Sequence, residues 1–260
     1  MIGEPIPIEA ARLALETVRI GGVVASAPIL WTSAPQRVRA ALVVILGLVC
    51  HGTAAASPTP LDSIERVAVA APTELLIGVA MGFVVRLAIA SAEMAGDIAS
   101  PLLGLGAASL FDPHAQVSET GLTRIYRQLV LLLALLLGVH RVLIGSLLAS
   151  FRIVPVGSLL APGLAAPELI RISAATIAAG LRLSLPLVAA LLLLQLGLAF
   201  VSRAAPSLQI FSVGFAISLI AGTIVLLGSL PGMAREIEIA LSATGDQIEM
   251  VLAAMVLGPR

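Results

Sequence analysis

An all-α integral membrane protein is the fold class this sequence predicts, on three observations. The mean hydropathy is +1.09, with 59% hydrophobic and only 12% charged residues, far from the composition of soluble globular domains. The apolar residues gather into about six blocks, judged against the roughly 18 apolar residues that a bilayer crossing needs. Between two of these blocks lies PLLGLGAASLFDP at 101–113, broken by glycine, alanine and proline yet nearly as apolar as its flanks. In hydrocarbon, backbone without internal hydrogen bonds costs several kcal/mol per orphan group, so such a stretch must sit inside protein or line a cavity. It reads as a pore element or a buried plug.

The blocks differ in quality along the chain. The first, residues 13–30, holds Glu16 and Arg19, and the second, 40–56, is short and ends in the turn-like SPTPLD. The third, 67–100, contains Pro72, Glu74, Arg86, Glu93 and Asp97. At 100° per residue Arg86, Glu93 and Asp97 share a narrow arc with Gly82 and Ala90 beside them. An ionised side chain at the bilayer centre costs about 2.5–3.5 kcal/mol even on the lenient insertion scale, so this face requires a protein partner or water. A buried charged face pairing with other helices is one reading, and a conduction or proton-relay path is the other. The fourth block, 128–140, is dominated by leucine. Arg171, Ala175, Ala178 and Arg182 repeat the small-and-cationic stripe ahead of the charge-free fifth block, 183–202, and Pro186 is expected to kink the chain there. The sixth block, 204–234, also lacks charge.

Two small-residue spacings, Gly78/Gly82 and Gly214/Ser218/Gly222, allow neighbouring backbones to approach closely. In a chain this rich in glycine and alanine, ordinary helix packing is the expected meaning, not a dedicated dimer motif. The end of the chain, 236–257, reads as a terminal amphipathic helix of a single domain covering 1–260. Ile237, Leu241, Thr244, Ile248, Val251 and Met255 form its stripe, with Arg235, Glu236, Glu238, Asp246 and Glu249 on other faces. It is expected to dock on a partner or on the membrane interface.

Enzyme chemistry finds no constellation to stand on, and no catalytic residue, cofactor or metal is expected. His51, His114 and His140 lie far apart and outside any H-E-x-x-H pattern. No G-x-S-x-G, G-x-x-x-x-G-K-[ST] or G-x-G-x-x-G is present, and the chain has no lysine for a phosphate loop or a Schiff base. Asp112 in F-D-P-H fits an Asx-type turn before proline better than half of a dyad with Asp97. All basic residues are arginine, the formal charge is zero, and no basic stripe marks a nucleic-acid surface. The one cysteine, Cys50, allows no internal disulfide. Acids at Glu4, Glu9 and Glu16 and the lack of a basic n-region speak against a cleaved signal peptide.

Several segments taken together carry a family resemblance. They are SAPIL at 26–30 with PQRVR at 35–39, ELLIGVAMGF at 74–83, GLGAASLFDP at 104–113, SFRIVPVG at 150–157 and SRAAPSLQIFSVGF at 202–215. In this order and spacing the chain resembles the FliR/SctT family, the FliR subunit of the flagellar export apparatus and its counterpart in virulence-type type III secretion. The wording F-D-P and S-F-R-I-V-P-V-G leans towards the flagellar branch. The resemblance implies a non-enzymatic, all-helical subunit of a protein-export gate, built of kinked helical hairpins within a hetero-oligomer in the bacterial inner membrane. Its implied partners are FliP-like and FliQ-like subunits, an FlhB-type switch protein, unfolded export substrates and membrane lipid. A self-sufficient small-solute transporter is the more distant alternative, without an internal repeat to support it.

The resemblance also implies site residues. The loop matching Gly104, Gly106, Ala107, Leu110, Phe111, Asp112 and Pro113 would project into the channel and help to plug it. Arg203, Pro206, Gly214 and Phe215 belong to the later motif and to helix packing. Two departures stand out. Relatives place bulky aromatics where this chain has Ala107 and Leu110, so the seal would lean on Leu110, Phe111 and partner residues. Ala216 stands where the family has proline, which restores a backbone donor and removes the cause of a kink after Phe215.

Overall fold

A computed structural model describes residues 7–28, 34–51, 63–103, 121–158, 165–204 and 210–257. Among them the chain is helical, with no strand. The helices are α1 (Ile8–Ser26), α2 (Gln36–His51), α3 (Ile64–Ala99), α4 (Gly121–Leu136), α5 (Val139–Ile153), α6 (Ala166–Ala204), α7 (Ile210–Ser242) and α8 (Thr244–Leu257), with one 3-10 turn at Pro101–Leu103.

The all-α membrane class holds, although fewer than six of the helices among the described residues are long and apolar enough to span a bilayer. Three helical stretches are long and apolar enough to cross a bilayer: Ile64–Leu103, Ala166–Val201 and Ala216–Val256. A fourth is possible if the bent pair α4 and α5 is one span. The first two blocks drop out for physical reasons. α1 carries Arg12, Glu16 and Arg19 within its 19 residues, and α2 has 16 residues, roughly 24 Å of helix against a hydrocarbon core of about 30 Å. The leucine block is divided where Gly138 takes φ 71°, a left-handed conformation that only glycine adopts cheaply. Pro186 does not end α6, and α7 runs unbroken through Ala216, as a helix without the proline should.

The chain divides into two compact units, the first made of residues 1–87, 138–173 and 241–260 and the second of 88–137 and 174–240. In the first unit, α2 lies along α1 and α8 packs on α5. α1 crosses α3 backbone to backbone. A Cβ added to Gly78 would lie 2.0 Å from the Arg19 carbonyl oxygen, and one on Gly22 would lie 2.7 Å from that of Leu75. A Cβ on Gly82 would meet Ser26 Oγ at 2.0 Å. The Gly78/Gly82 pair is thus an internal helix crossing, the ordinary packing that its spacing suggested. Leu15, Ile20, Ile77, Met81, Val84, Val85, Leu147 and Phe151 are buried in this unit.

The second unit is packed by small and apolar residues of α3 and α4. The α3 residues Ala88, Ala92, Ala95 and Ala99 are buried, as are Leu122, Tyr126, Val130 and Ala134, spaced four apart on α4. Gly96 brings α3 against the Thr123 backbone, and Gly180 brings α6 against the Ser91 carbonyl. Much of α6 and α7 stays uncovered by the chain itself: the apolar windows of those two spans are each 17% buried, against 61% for the α3 span.

The stretch 236–257 is carried by two helices, the end of α7 and α8, with a turn at Ala243. Every residue of its expected stripe, Ile237, Leu241, Thr244, Ile248, Val251 and Met255, is buried. The surface that receives α8 is the chain's own α5.

Candidate functional site

The most heavily invested polar site lies in the first unit, where three helices bring one arginine and one glutamate out of water. Arg19 projects from α1 and Glu74 from α3, and both are 0% exposed. Arg19 Nε donates to Glu74 Oε2 at 2.6 Å, Nη1 to Ser150 Oγ at 3.2 Å and Nη2 to the Val154 carbonyl at 3.0 Å. Its guanidinium carbon stands 4.6 Å from the centre of the Phe151 ring. The other carboxylate oxygen, Glu74 Oε1, accepts the Gly157 backbone N–H at 2.8 Å. All three guanidinium nitrogens and both carboxylate oxygens are therefore engaged, the condition under which a buried pair is tolerated.

The local sequence explains why the partners converge. α5 stops at Ile153 ahead of Pro155, leaving carbonyls at its end without helical partners. A cation placed there completes the Val154 carbonyl and suits the negative end of the helix. Gly157 has φ 80°, and this left-handed turn aims its N–H at Glu74 at little steric cost. Two of the resemblance segments, ELLIGVAMGF and SFRIVPVG, thus meet through Glu74, Ser150, Phe151, Val154 and Gly157.

A second cluster closes the far end of the α1–α2 pair. Buried Glu16 accepts Arg12 Nε at 3.0 Å and faces His51 Nδ1 at 2.9 Å, while His51 Nε2 stands 3.3 Å from Glu9. Cys50 is buried beside it, and burial with the Glu16 carboxylate pushes its thiol above the ordinary value. These contacts tie the last turn of α2 to the first turns of α1. Sequence reading saw Glu16, Arg19 and Glu74 only as charges spoiling apolar blocks. Their spacing of one turn on α1, with a lone glutamate opening ELLIGVAMGF, was the available signal.

The charged face expected on α3 is not buried within the chain. Arg86 and Asp97 are exposed and Glu93 is half-buried. Glu93 accepts Arg127 Nε at 2.5 Å and Asp97 accepts the Thr123 hydroxyl at 2.6 Å, both from α4. Arg86 makes no hydrogen bond or ion pair among the described residues. The alanine side of α3 takes the core positions instead, because small apolar residues allow close packing without desolvating charge. The second cationic stripe is exposed at Arg171 and Arg182, with Arg171 paired to Glu168 on its own helix.

The expected plug residues Gly104, Gly106, Ala107, Leu110, Phe111, Asp112 and Pro113 lie outside the described residues, as does Pro206. Arg203 is exposed near the end of α6, Gly214 is half-buried with Leu198 in ordinary contact range, and Phe215 lies in α7. Among the described residues no three His, Cys, Asp or Glu side chains are grouped to hold a metal ion.

Comparison with known proteins agrees with the segments above. The model of the bacterial export proteins, family 1, matches residues 10–243. The chain is 32% identical over 215 residues to the flagellar biosynthetic protein FliR of Escherichia coli (strain K12), covering 82% of each chain. It is 32% identical to that of Pectobacterium carotovorum, with the same coverage. Against the flagellar biosynthetic protein FliR of Caulobacter vibrioides the identity is 28% over 226 residues, 85% of this chain and 89% of the relative.

Proposed function

This chain belongs to the bacterial export proteins of family 1, the FliR/SctT family, and from that premise we propose that it is a structural and gating subunit of a flagellar protein-export gate. It works without catalysing a reaction. Unfolded substrates cross the inner membrane through a channel that it builds with FliP-like and FliQ-like subunits and an FlhB-type switch protein. The loop at 104–113 closes that channel at rest, its seal leaning on Leu110, Phe111 and partner residues. The flagellar names of the relatives favour this branch over the virulence-type one.

One observation carries the assembly part of the reading. The two apolar spans Ala166–Val201 and Ala216–Val256 are each only 17% buried, so most of their surface is left for lipid or for neighbouring subunits. Leu193, Phe200, Ile220 and Ile224 are more than half exposed on these helices. By contrast the Arg19–Glu74 site is closed and fully bonded, which suits a fixed joint rather than a moving or reacting part. The test is complementation: supplied to a motile bacterium lacking its own relative, with the cognate partner subunits, the chain should restore swimming in soft agar. Normal export without the chain in its own host would overturn the proposal.

A further inference from the structure

We infer that His51 is a pH-sensitive latch between α1 and α2: its charged ring bridges Glu9 and Glu16, and deprotonation releases Glu9 and loosens the first turn of α1.

The hold of α2 on α1 is narrow. Of the 16 residues of α2 only Gly47 and Cys50 are buried, while Val38, Val44, Ile45, Leu48 and Val49 are exposed. Gly47 lets the helices approach, since a Cβ there would lie 3.3 Å from Thr17 Cγ2. His51, one turn further on, closes the seam with both ring nitrogens: Nδ1 stands 2.9 Å from Glu16 Oε2 and Nε2 3.3 Å from Glu9 Oε2.

Two nitrogens facing two carboxylates decide what protonation does. A neutral imidazole carries one N–H and turns a lone pair to one of the two acids; only the imidazolium presents N–H to both. When one proton remains, Glu16 keeps it within reach. The Glu16 side chain is 0% exposed and that of Glu9 75%, so Glu9 turns to water at little cost while a deserted Glu16 would be stranded. The charged ring also suits its place at the last residue of α2, beside the negative end of the helix. The latch is therefore complete on the acid side and loses Glu9 as pH rises.

The surrounding groups leave the switching to His51. Glu9, Glu16 and, through Glu16, Arg12 face it from α1; carboxylates and guanidinium ordinarily hold their charge between about pH 5 and 8, the range in which imidazole changes its own. Burial, and then the Glu16 carboxylate, push the neighbouring Cys50 thiol up, away from that range. The start of α1 feels the release because its N-cap, Pro7, makes no side-chain cap hydrogen bond. The Ala10 and Ala11 N–H groups rest on the Pro7 carbonyl at 2.9 and 3.1 Å, and Glu9 lies within that turn.

The test is hydrogen exchange on the assembled complex in detergent at about pH 6 and about pH 8, with rates corrected for the intrinsic pH dependence of amide exchange. The first-turn amides of α1 should lose about two- to fivefold protection at the higher pH, the size that an exposed ion pair supports. His51→Arg, a permanent cation, should keep this turn protected at both pH values. Glu9→Gln should leave it equally weakly protected at both, and this exposed site keeps the test available should the His51 variant fail to assemble. A merely structural histidine would change protection without removing its pH dependence. No pH difference in the parent complex, or a difference that survives in Glu9→Gln, would overturn the latch.

Discussion

At the scale of single residues, the account turns on a glutamate and an arginine that lie 55 positions apart. Breaking a buried pair from one side leaves an uncompensated charge and costs about 3–5 kcal/mol, whereas replacing both partners by apolar residues is often close to neutral. Arg19→Met alone, or Glu74→Gln alone, should therefore lower the thermal midpoint of the complex in detergent strongly. The double variant Arg19→Met with Glu74→Leu should recover most of the loss, and equal losses for single and double variants would show that the pair is not the source. Cys50 gives a second residue-scale prediction. Burial, and then the Glu16 carboxylate, push its thiol above the ordinary value, and thiolate is the reacting form. A methanethiosulfonate reagent at pH 8 should modify it about tenfold or more slowly than a cysteine introduced by Leu48→Cys on the exposed face of the same helix. Comparable rates would place Cys50 at the surface.

At the scale of elements, glycine positions separate helix crossing from mere composition. Gly78 carries the α1–α3 crossing, and any side chain there meets the Arg19 backbone. Gly145 on α5 has nothing within 4 Å of an added Cβ. Gly78→Ala should thus reduce the yield of folded chain, while Gly145→Ala should be neutral or stabilise by about 0.5–1 kcal/mol through helix propensity; the same loss from both would contradict the crossing. Much of this level was legible in the sequence. The stripe from Ile237 to Met255 is buried at each named position because a period of 3.6 marks a covered face whatever covers it. Periodicity does not reveal the cover, so α5 as the receiver of α8 came only with the tertiary structure. The break at Gly138 was missed for a similar reason: an apolar leucine run does not disclose that one glycine adopts positive φ. The Arg19–Glu74 joint was hidden because each charge stood alone in its own apolar block, with no local pattern linking them. On α3 a wheel groups Arg86, Glu93 and Asp97 on one arc, but a wheel does not say which face turns inward.

At the scale of the whole molecule, the proposed function rests on the uncovered surfaces. Arg86, which has no ion pair among the described residues, is exposed on a span that otherwise buries most of its apolar window, and an unpaired cation in lipid is costly. Arg86→Glu should prevent incorporation into the complex if a partner subunit supplies its counter-charge. Full incorporation with lost export would instead assign Arg86 to the conduction path. Both outcomes presuppose that the chain acts inside an assembly, and that is the claim to measure first. The chain should be tagged at native expression level, extracted in mild detergent and purified, and the mass and composition of the particle determined. The account predicts a hetero-oligomer containing FliP-like and FliQ-like subunits, with the chain degraded when those subunits are deleted. A monodisperse homo-oligomer of this chain that transports a small solute in liposomes would contradict it.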